Sequence, residues 1–244
     1  MIDVHCHILP GVDDGPKSWD IAAEMCRMAV ADGTKHMVAT PHANRRYAYD
    51  REHLAHALDS LRQRVGRAPH LSLGCDFRLS PENMHDILRF PERYLIEGGR
   101  YLLAEPSHTK VPPETEEQLR QLIAIGITPI ITHPERNTVL QQTPQRILQC
   151  VELGCAIQVT ASALTGGWGE TAWHTAQWLL KRDAVHVLAS DAHDTTRRPP
   201  GLALAREAVA EYSGDKVARA LVEDNPHAIV SGKALPYFPK PVAG

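Results

Sequence analysis

Short apolar runs recur along this chain, each separated from the next by a longer amphipathic stretch, and that alternation restricts the fold more than any other feature. The runs fall at residues 1–6, 35–40, 71–77, 100–105, 127–132, 155–160 and 185–190. Each is bounded by turn-forming or polar residues, the pattern of strands buried on both faces of a parallel sheet. Helical periodicity fills the gaps, at about 17–32, 50–65, 81–89, 114–125, 143–153, 170–182 and 202–212. Ser18 and Thr143 (with Pro144 after it) read as helix N-caps, and Gly33, Gly126 and Gly154 stand where helices end. Seven strand–helix repeats imply parallel strands joined by right-handed crossovers, in either an open sheet or a closed barrel. No glycine-rich phosphate-binding motif follows any of the strands, so a nucleotide fold has no support.

The chain has 244 residues, and no linker or low-complexity tract divides it, so residues 1–244 read as one α/β domain. The proline-rich end reads as a surface tail from about residue 233 to 244. Lys plus Arg number 26 against 29 Asp plus Glu, a formal charge of −3 that predicts neither nucleic-acid nor membrane-surface binding. No apolar run approaches the roughly 18–20 residues of a membrane span, and the first residues lack a basic-then-apolar leader. The five cysteines are odd in number and form no C-x-x-C pair, which points away from disulfides and toward a reducing compartment. A cytoplasmic location is expected. The unusual count is 14 histidines, and imidazole is the commonest metal ligand.

Placed on the strand map, the metal-capable side chains cluster. His5 and His7 end the first run, His42 follows the second, Asp76 lies at the end of the third, and Glu105 ends the fourth. His133 follows the fifth, and Asp191 with His193 follows the seventh. Only the sixth run, ending in Thr160, carries no such residue. Function in α/β folds sits at the carboxyl ends of parallel strands, so these side chains converge on one rim. The period-two spacing of His5 and His7 sends both imidazoles to one face and Cys6 to the other. Asp191 and His193 repeat that spacing. A single such residue is more often a cap or turn former, and Asp14 before Gly15 could simply hold a turn, but the whole set resists that explanation. His108 follows Glu105 near the same rim, and Asp3 could orient His5 or His7. The remaining histidines read as surface or packing residues.

Mixed imidazole and carboxylate ligands suit Mn²⁺, Fe²⁺ or Zn²⁺, whereas an oxygen-only set would indicate Mg²⁺ or Ca²⁺. Adjacent metals of that kind activate water and neutralise phosphoryl oxygens, which is what phosphomonoester hydrolysis requires. A thiol mechanism of dephosphorylation needs an Arg six positions after the nucleophilic Cys. Those positions hold Val12, Asp32, Pro81, Ala156 and Ala161, so the thiol route is excluded.

His5-x-His7, Thr40-Pro41-His42, Glu105, Thr132-His133-Pro134-Glu135-Arg136 and Ser190-Asp191-Ala192-His193 together resemble the polymerase and histidinol phosphatase (PHP) superfamily. The opening from Met1 to Lys17, the stretch Gln158 to Thr165 and Asn225-Pro226 are similar to its manganese-dependent protein-tyrosine phosphatases of bacterial capsule and exopolysaccharide loci. The resemblance runs from residue 1 to about 232. It implies a distorted, TIM-like (β/α)7 barrel of the PHP fold with a trinuclear metal centre, Mn²⁺ foremost. One metal would be held by His5, His7, Asp76 and Asp191, a second by Asp76, Glu105 and His133, and a third by Asp14, His42 and His193. Asp76 stands where this branch carries Glu, and its shorter side chain makes a bridging role harder. Gly166-Gly167-Trp168-Gly169 also lacks an Arg that relatives often carry after the first Gly. Arg136 and Arg198, the latter beside Arg197, match positions that bind phosphate. The implied substrate is a phosphotyrosine-bearing tail of a polysaccharide-assembly kinase. The alternatives are a small-molecule phosphatase of the histidinol-phosphatase type and a non-catalytic metal-binding regulator.

Overall fold

The computed structural model describes residues 1–107 and 109–241, so His108 and residues 242–244 lie outside the described residues. The strands are β1 (Ile2–Cys6), β2 (His36–Ala39), β3 (His42–Ala43), β4 (His70–Leu73), β5 (Asp76–Arg78), β6 (Tyr101–Glu105), β7 (Thr128–Thr132), β8 (Ala156–Thr160) and β9 (Val187–Ala189). All pair in parallel, in the orders β1-β2-β4 and β3-β5-β6-β7-β8-β9. The chain is thus an α/β protein with parallel sheets.

One of the seven apolar runs is broken in the structure, and one short strand lies outside them all. The second run ends as β2 at Ala39, and the unexpected β3 follows Thr40-Pro41, where proline offers no N–H to a ladder. The third divides at Gly74-Cys75, between β4 and β5. There the Gly74 N–H donates to the Ala39 carbonyl at 2.8 Å. A Cβ at Gly74 would lie 2.9 Å from Ile96 Cγ1, so a side chain at the bend would force its neighbours to shift. These two points carry the three-stranded sheet into the six-stranded one. At the opposite end, Cys6 and Ala192 form a parallel bridge, flanked by His7 N–H to Ala192 O and Asp191 N–H to His5 O, each 2.8 Å.

Side chains from β1, β2 and β6–β9, among them Val4, Val38, Leu103, Ile130, Ala156 and Val187, share one buried cluster. Helices cover the outside. The helix Trp19–Ala31 is capped by Ser18, whose Oγ accepts the Ile21 N–H at 3.3 Å. It buries Ala22, Met25, Cys26 and Ala29 beside Leu54, Leu58 and Leu61 of the helix Arg51–Val65. A larger cluster joins Ile131, Ile157 and Val159 to Leu119, Val151 and Leu179 from the helices on the other side.

The helix expected at 143–153 is two helices, Thr138–Gln142 and Gln145–Glu152. Asn137 caps the first through its side chain, and Thr143 ends it. Beyond residue 213, where the periodicity predicts nothing, short helical segments Asp215–Arg219, Ala220–Asp224 and Asn225–Val230 bury Ala218, Leu221, Val222 and Ile229. The segment after 232 runs over the surface but is tied down. Tyr101 Oη donates to Lys233 O at 2.6 Å, and Asn225 exchanges two hydrogen bonds with the Tyr237 backbone. Among the described residues no helix is long and apolar enough to cross a membrane.

Candidate metal centre

The carboxyl ends of the strands gather nine side chains: His5, His7, Asp14, His42, Asp76, Glu105, His133, Asp191 and His193. Strand register does part of this work. His42 pairs with Asp76 across β3 and β5, and Arg78 pairs with Glu105 across β5 and β6. Backbone conformation does the rest. His133 (φ +36°) and Asp191 (φ +51°), each just beyond a strand, adopt left-handed conformations that are uncommon for non-glycine residues.

Four groups of ligand atoms lie mutually within 4.8 Å: His7, Asp14, His42 and His193; His5, His7 and Asp76; His5, His133 and Asp191; and His42, Asp76 and Glu105. The first matches the third metal set implied by resemblance, with His7 added. His133 groups with His5 and Asp191, while its Nε2 stands 4.0 Å from Glu105 Oε1. Asp76 Oδ2 reaches both sides of the cluster, 3.0 Å from His42 Nδ1 and 3.7 Å from His5 Nε2, despite its shorter side chain.

Hydrogen bonds from behind set the imidazole orientations. His5 Nδ1 donates to Gln158 Oε1 at 2.9 Å, and His7 Nδ1 donates to Asp13 Oδ2 at 2.6 Å. Both Nε2 atoms are thereby turned toward Asp191 Oδ1, each 3.4 Å away. His193 Nδ1 donates to its neighbour's carbonyl, Asp191 O, at 2.9 Å, leaving Nε2 3.3 Å from Asp14 Oδ1. Asp13 also accepts the His42 and Gly15 N–H groups. Gly15 is needed at that turn, because a Cβ there would stand 2.8 Å from His7 O.

Electrostatics identify the cluster as a site that lacks positive charge. Burial opposes protonation of His7, yet Asp13 outweighs it and lifts the imidazole to about 9. Burial likewise opposes His42, which Asp14 and Asp76 push up to about 11. Burial disfavours the Asp191 carboxylate too, but His5, His7 and the arginines hold it well below the usual range. Buried His42 Nδ1, His193 Nε2 and both Asp76 oxygens form no well-directed hydrogen bond. Buried polar atoms in that state, around carboxylates that draw protons onto imidazoles, fit bound cations. The mixed nitrogen and oxygen donors fit divalent transition metals.

Arg136 Nη1 and Arg198 Nη2 both donate to Asp191 Oδ2, the oxygen facing away from the imidazoles. Both guanidinium carbons lie over the Trp168 ring, at 3.6 and 5.3 Å from its centroid, and the indole N–H donates to Ser162 Oγ at 3.0 Å. Arg197 is exposed. Asp3 touches neither His5 nor His7 through their rings. It accepts from the Ser190 N–H and hydroxyl and from the His5 backbone, tying β1 to the segment that carries Asp191.

Sequence reasoning missed Asp13, Gln158, Arg78 and Trp168. Arg78 Nη2 lies 3.0 Å from Glu105 Oε2, two residues along β5 from Asp76 and so on the same face. Gln158 is a polar residue in the fully buried β8 and was the most readable of the four. It also supplies a contact to the site from the sixth apolar run, which ends without a ligand-type residue.

The sequence profile of the family described as capsular polysaccharide synthesis, CpsB/CapC, matches residues 1–231. The putative tyrosine-protein phosphatase CapC of Staphylococcus aureus is 34% identical over 205 residues, covering 82% of this chain and 79% of the relative. The tyrosine-protein phosphatase YwqE of Bacillus subtilis is 33% identical over 202 residues, covering 81% and 79%. A solved structure from the work on Bacillus subtilis YwqE and Streptococcus pneumoniae CpsB, described as unique metal-dependent tyrosine phosphatases, superposes with a TM-score of 0.93 at 30% identity. That match spans 100% of both chains.

Proposed function

The chain belongs to the CpsB/CapC capsular polysaccharide synthesis family, and from that premise we propose that it is a metal-dependent protein-tyrosine phosphatase. The observation that carries the reading is the division of labour within one carboxylate. Asp191 Oδ1 faces His5 and His7, and Asp191 Oδ2 receives Arg136 and Arg198. A single side chain therefore joins the candidate metal ligands to a pair of guanidiniums, which is the juxtaposition that phosphate hydrolysis needs.

The nine clustered side chains would hold the metals, with His5, His7, His42 and Asp76 each shared between two groups. Divalent transition metals, Mn²⁺ foremost, would supply a nucleophile at neutral pH and neutralise charge on the phosphoryl oxygens. Arg136 and Arg198 orient the substrate by donating to its non-bridging oxygens, a task for which planar guanidiniums suit better than ammonium groups. Trp168 restricts the rotation of both. Asp13 and Gln158 hold His7 and His5 in the tautomers that leave Nε2 free. Arg78 offsets the buried charge of Glu105. The seven strand positions are read as a distorted barrel of the PHP type, with the rim open to solvent on the Asp14 side. Five free cysteines suit a reducing cytoplasm. The substrate is read as a phosphotyrosine-bearing tail of a polysaccharide-assembly kinase.

The test compares kcat/KM for phosphotyrosyl peptide, phosphoseryl peptide and histidinol phosphate in Mn²⁺ buffer. The phosphotyrosyl peptide should lead by at least about tenfold, equivalent to roughly 1.4 kcal/mol of transition-state binding. A preference of that size for histidinol phosphate sinks the tyrosine reading and favours the small-molecule alternative.

A further inference from the structure

Arg197 and Arg198 are adjacent but do different things. Asp194 Oδ1 accepts the N–H groups of Thr196 at 2.7 Å, Arg197 at 2.6 Å and Arg198 at 3.2 Å, which fixes the loop that carries both. Arg198 turns in to Asp191. Arg197 is exposed and forms no ion pair among the described residues. It faces a cavity of about 450 Å³ whose wall includes Ser162, Thr165, Trp168, Arg198, Pro199 and the 69%-exposed Leu204. Trp168 and Arg198 belong to both places, so the cavity begins where the phosphate-binding arginines end.

Arg197 and Arg198 line the cavity against one acid, Asp32, whose Oδ2 accepts the Leu202 N–H at 2.6 Å and the Ala203 N–H at 3.0 Å. That leaves a free guanidinium, an exposed leucine and an indole beside the proposed phosphate site.

We propose that this cavity is a substrate subsite that takes the residues flanking the phosphotyrosine, with an acidic side chain against Arg197 and an apolar one against Leu204 and Pro199. The inference rests on the tyrosine-phosphatase reading above. A phosphotyrosine in the metal site holds its own backbone above the rim by the length of its ring, and the neighbouring side chains then fall on the surface beyond Trp168 and Arg198. Complementary charge there selects among partners more than it adds raw affinity.

The test uses the metal-loaded full chain, with phosphotyrosyl peptides flanked by Asp or by Lys, and p-nitrophenyl phosphate as a probe without flanking residues. Wild type should favour the Asp-flanked peptide. Arg197→Ala should lower kcat/KM for that peptide about fivefold, the size of one solvent-screened ion pair, mainly through KM. The same variant should leave p-nitrophenyl phosphate within about twofold, and Arg197→Glu should reverse the peptide preference. An equal loss on p-nitrophenyl phosphate would place Arg197 in the phosphate site and overturn the subsite, as would equal wild-type rates on the two peptides. A dimer in solution that Arg197→Glu dissociates would assign the cavity to a second copy and overturn it too. Turnover of p-nitrophenyl phosphate with no phosphotyrosyl peptide hydrolysed is a different result, because it removes the tyrosine reading itself.

Discussion

Asp13 shows how much of this centre depends on side chains that bear no metal-ligand role. Its carboxylate accepts from His7 Nδ1 at 2.6 Å, from the His42 N–H at 3.2 Å and from the Gly15 N–H at 2.9 Å, so one residue orients two candidate ligands. Asp13→Ala should therefore weaken Mn²⁺ or Zn²⁺ affinity by about 10- to 100-fold while the fold survives. Competition with a chromophoric chelator measures this, and unchanged affinity would refute the orienting role. Arg136 and Arg198 are predicted to act on substrate rather than on metal. Arg136→Lys should lower kcat/KM for a phosphotyrosyl peptide by about 30-fold, because an ammonium cannot reproduce the paired donors or the stack on Trp168. Metal content should be unchanged, and a variant that loses metal instead would move Arg136 into the support of Asp191. Eight of the nine candidate ligands were legible because each is a His, Asp or Glu beside the end of an apolar run, two of them in H-x-H and two in D-x-H, whereas Asp14 came from the resemblance alone. Their supports were not. Asp13 reads as half of an Asp-Asp-Gly turn, and Trp168 as a loop aromatic, until the fold brings them against partners far away in sequence.

At the scale of the element, alternation of apolar runs located every strand but β3, and the break within the third run stayed hidden. Leu71-Ser72-Leu73-Gly74-Cys75-Asp76-Phe77 reads as one continuous strand, and only packing shows that Gly74 turns it. Its missing Cβ would meet Ile96 Cγ1 at 2.9 Å, Val38 Cγ1 at 3.1 Å and Thr40 Cγ2 at 3.3 Å. That bend delivers Asp76 into register with His42. Gly74→Ala should cost about 1–3 kcal/mol of unfolding free energy, the usual range for overpacking. Urea denaturation of the metal-free chain isolates this effect, and a loss below about 0.5 kcal/mol, the level of an ordinary surface change, would mean that the neighbours yield freely. The short helices after residue 213 escaped for a related reason. Each is too short to show a period, and their buried faces are defined by the strands beneath them.

The whole molecule carries a buried histidine unconnected with the metal centre. His186 is fully buried, accepts the Ile157 N–H at 3.1 Å through Nδ1, and packs on Phe238 of the tied-down C-terminal segment. Burial lowers its pKa from 6.5 to about 4, so the folded chain keeps it neutral where the unfolded chain takes up a proton. Below pH 6.5 the unfolded state binds the extra proton, and stability falls with pH until about 4. The loss attributable to His186 is roughly 2–3 kcal/mol across that window. His186→Gln should flatten this part of the pH–stability curve, and an unaltered slope would show that other groups set it. The central claim concerns the opposite end of the strands, where side chains spread from His5 to His193 act as one metal-dependent phosphatase site. Its most direct test follows metal content and phosphotyrosyl-peptide hydrolysis together, as chelator-stripped protein is titrated with Mn²⁺. Activity should be absent from the stripped chain and should rise with occupancy to a plateau at roughly two to three ions per chain. Full hydrolysis by protein shown by elemental analysis to be metal-free would contradict the account.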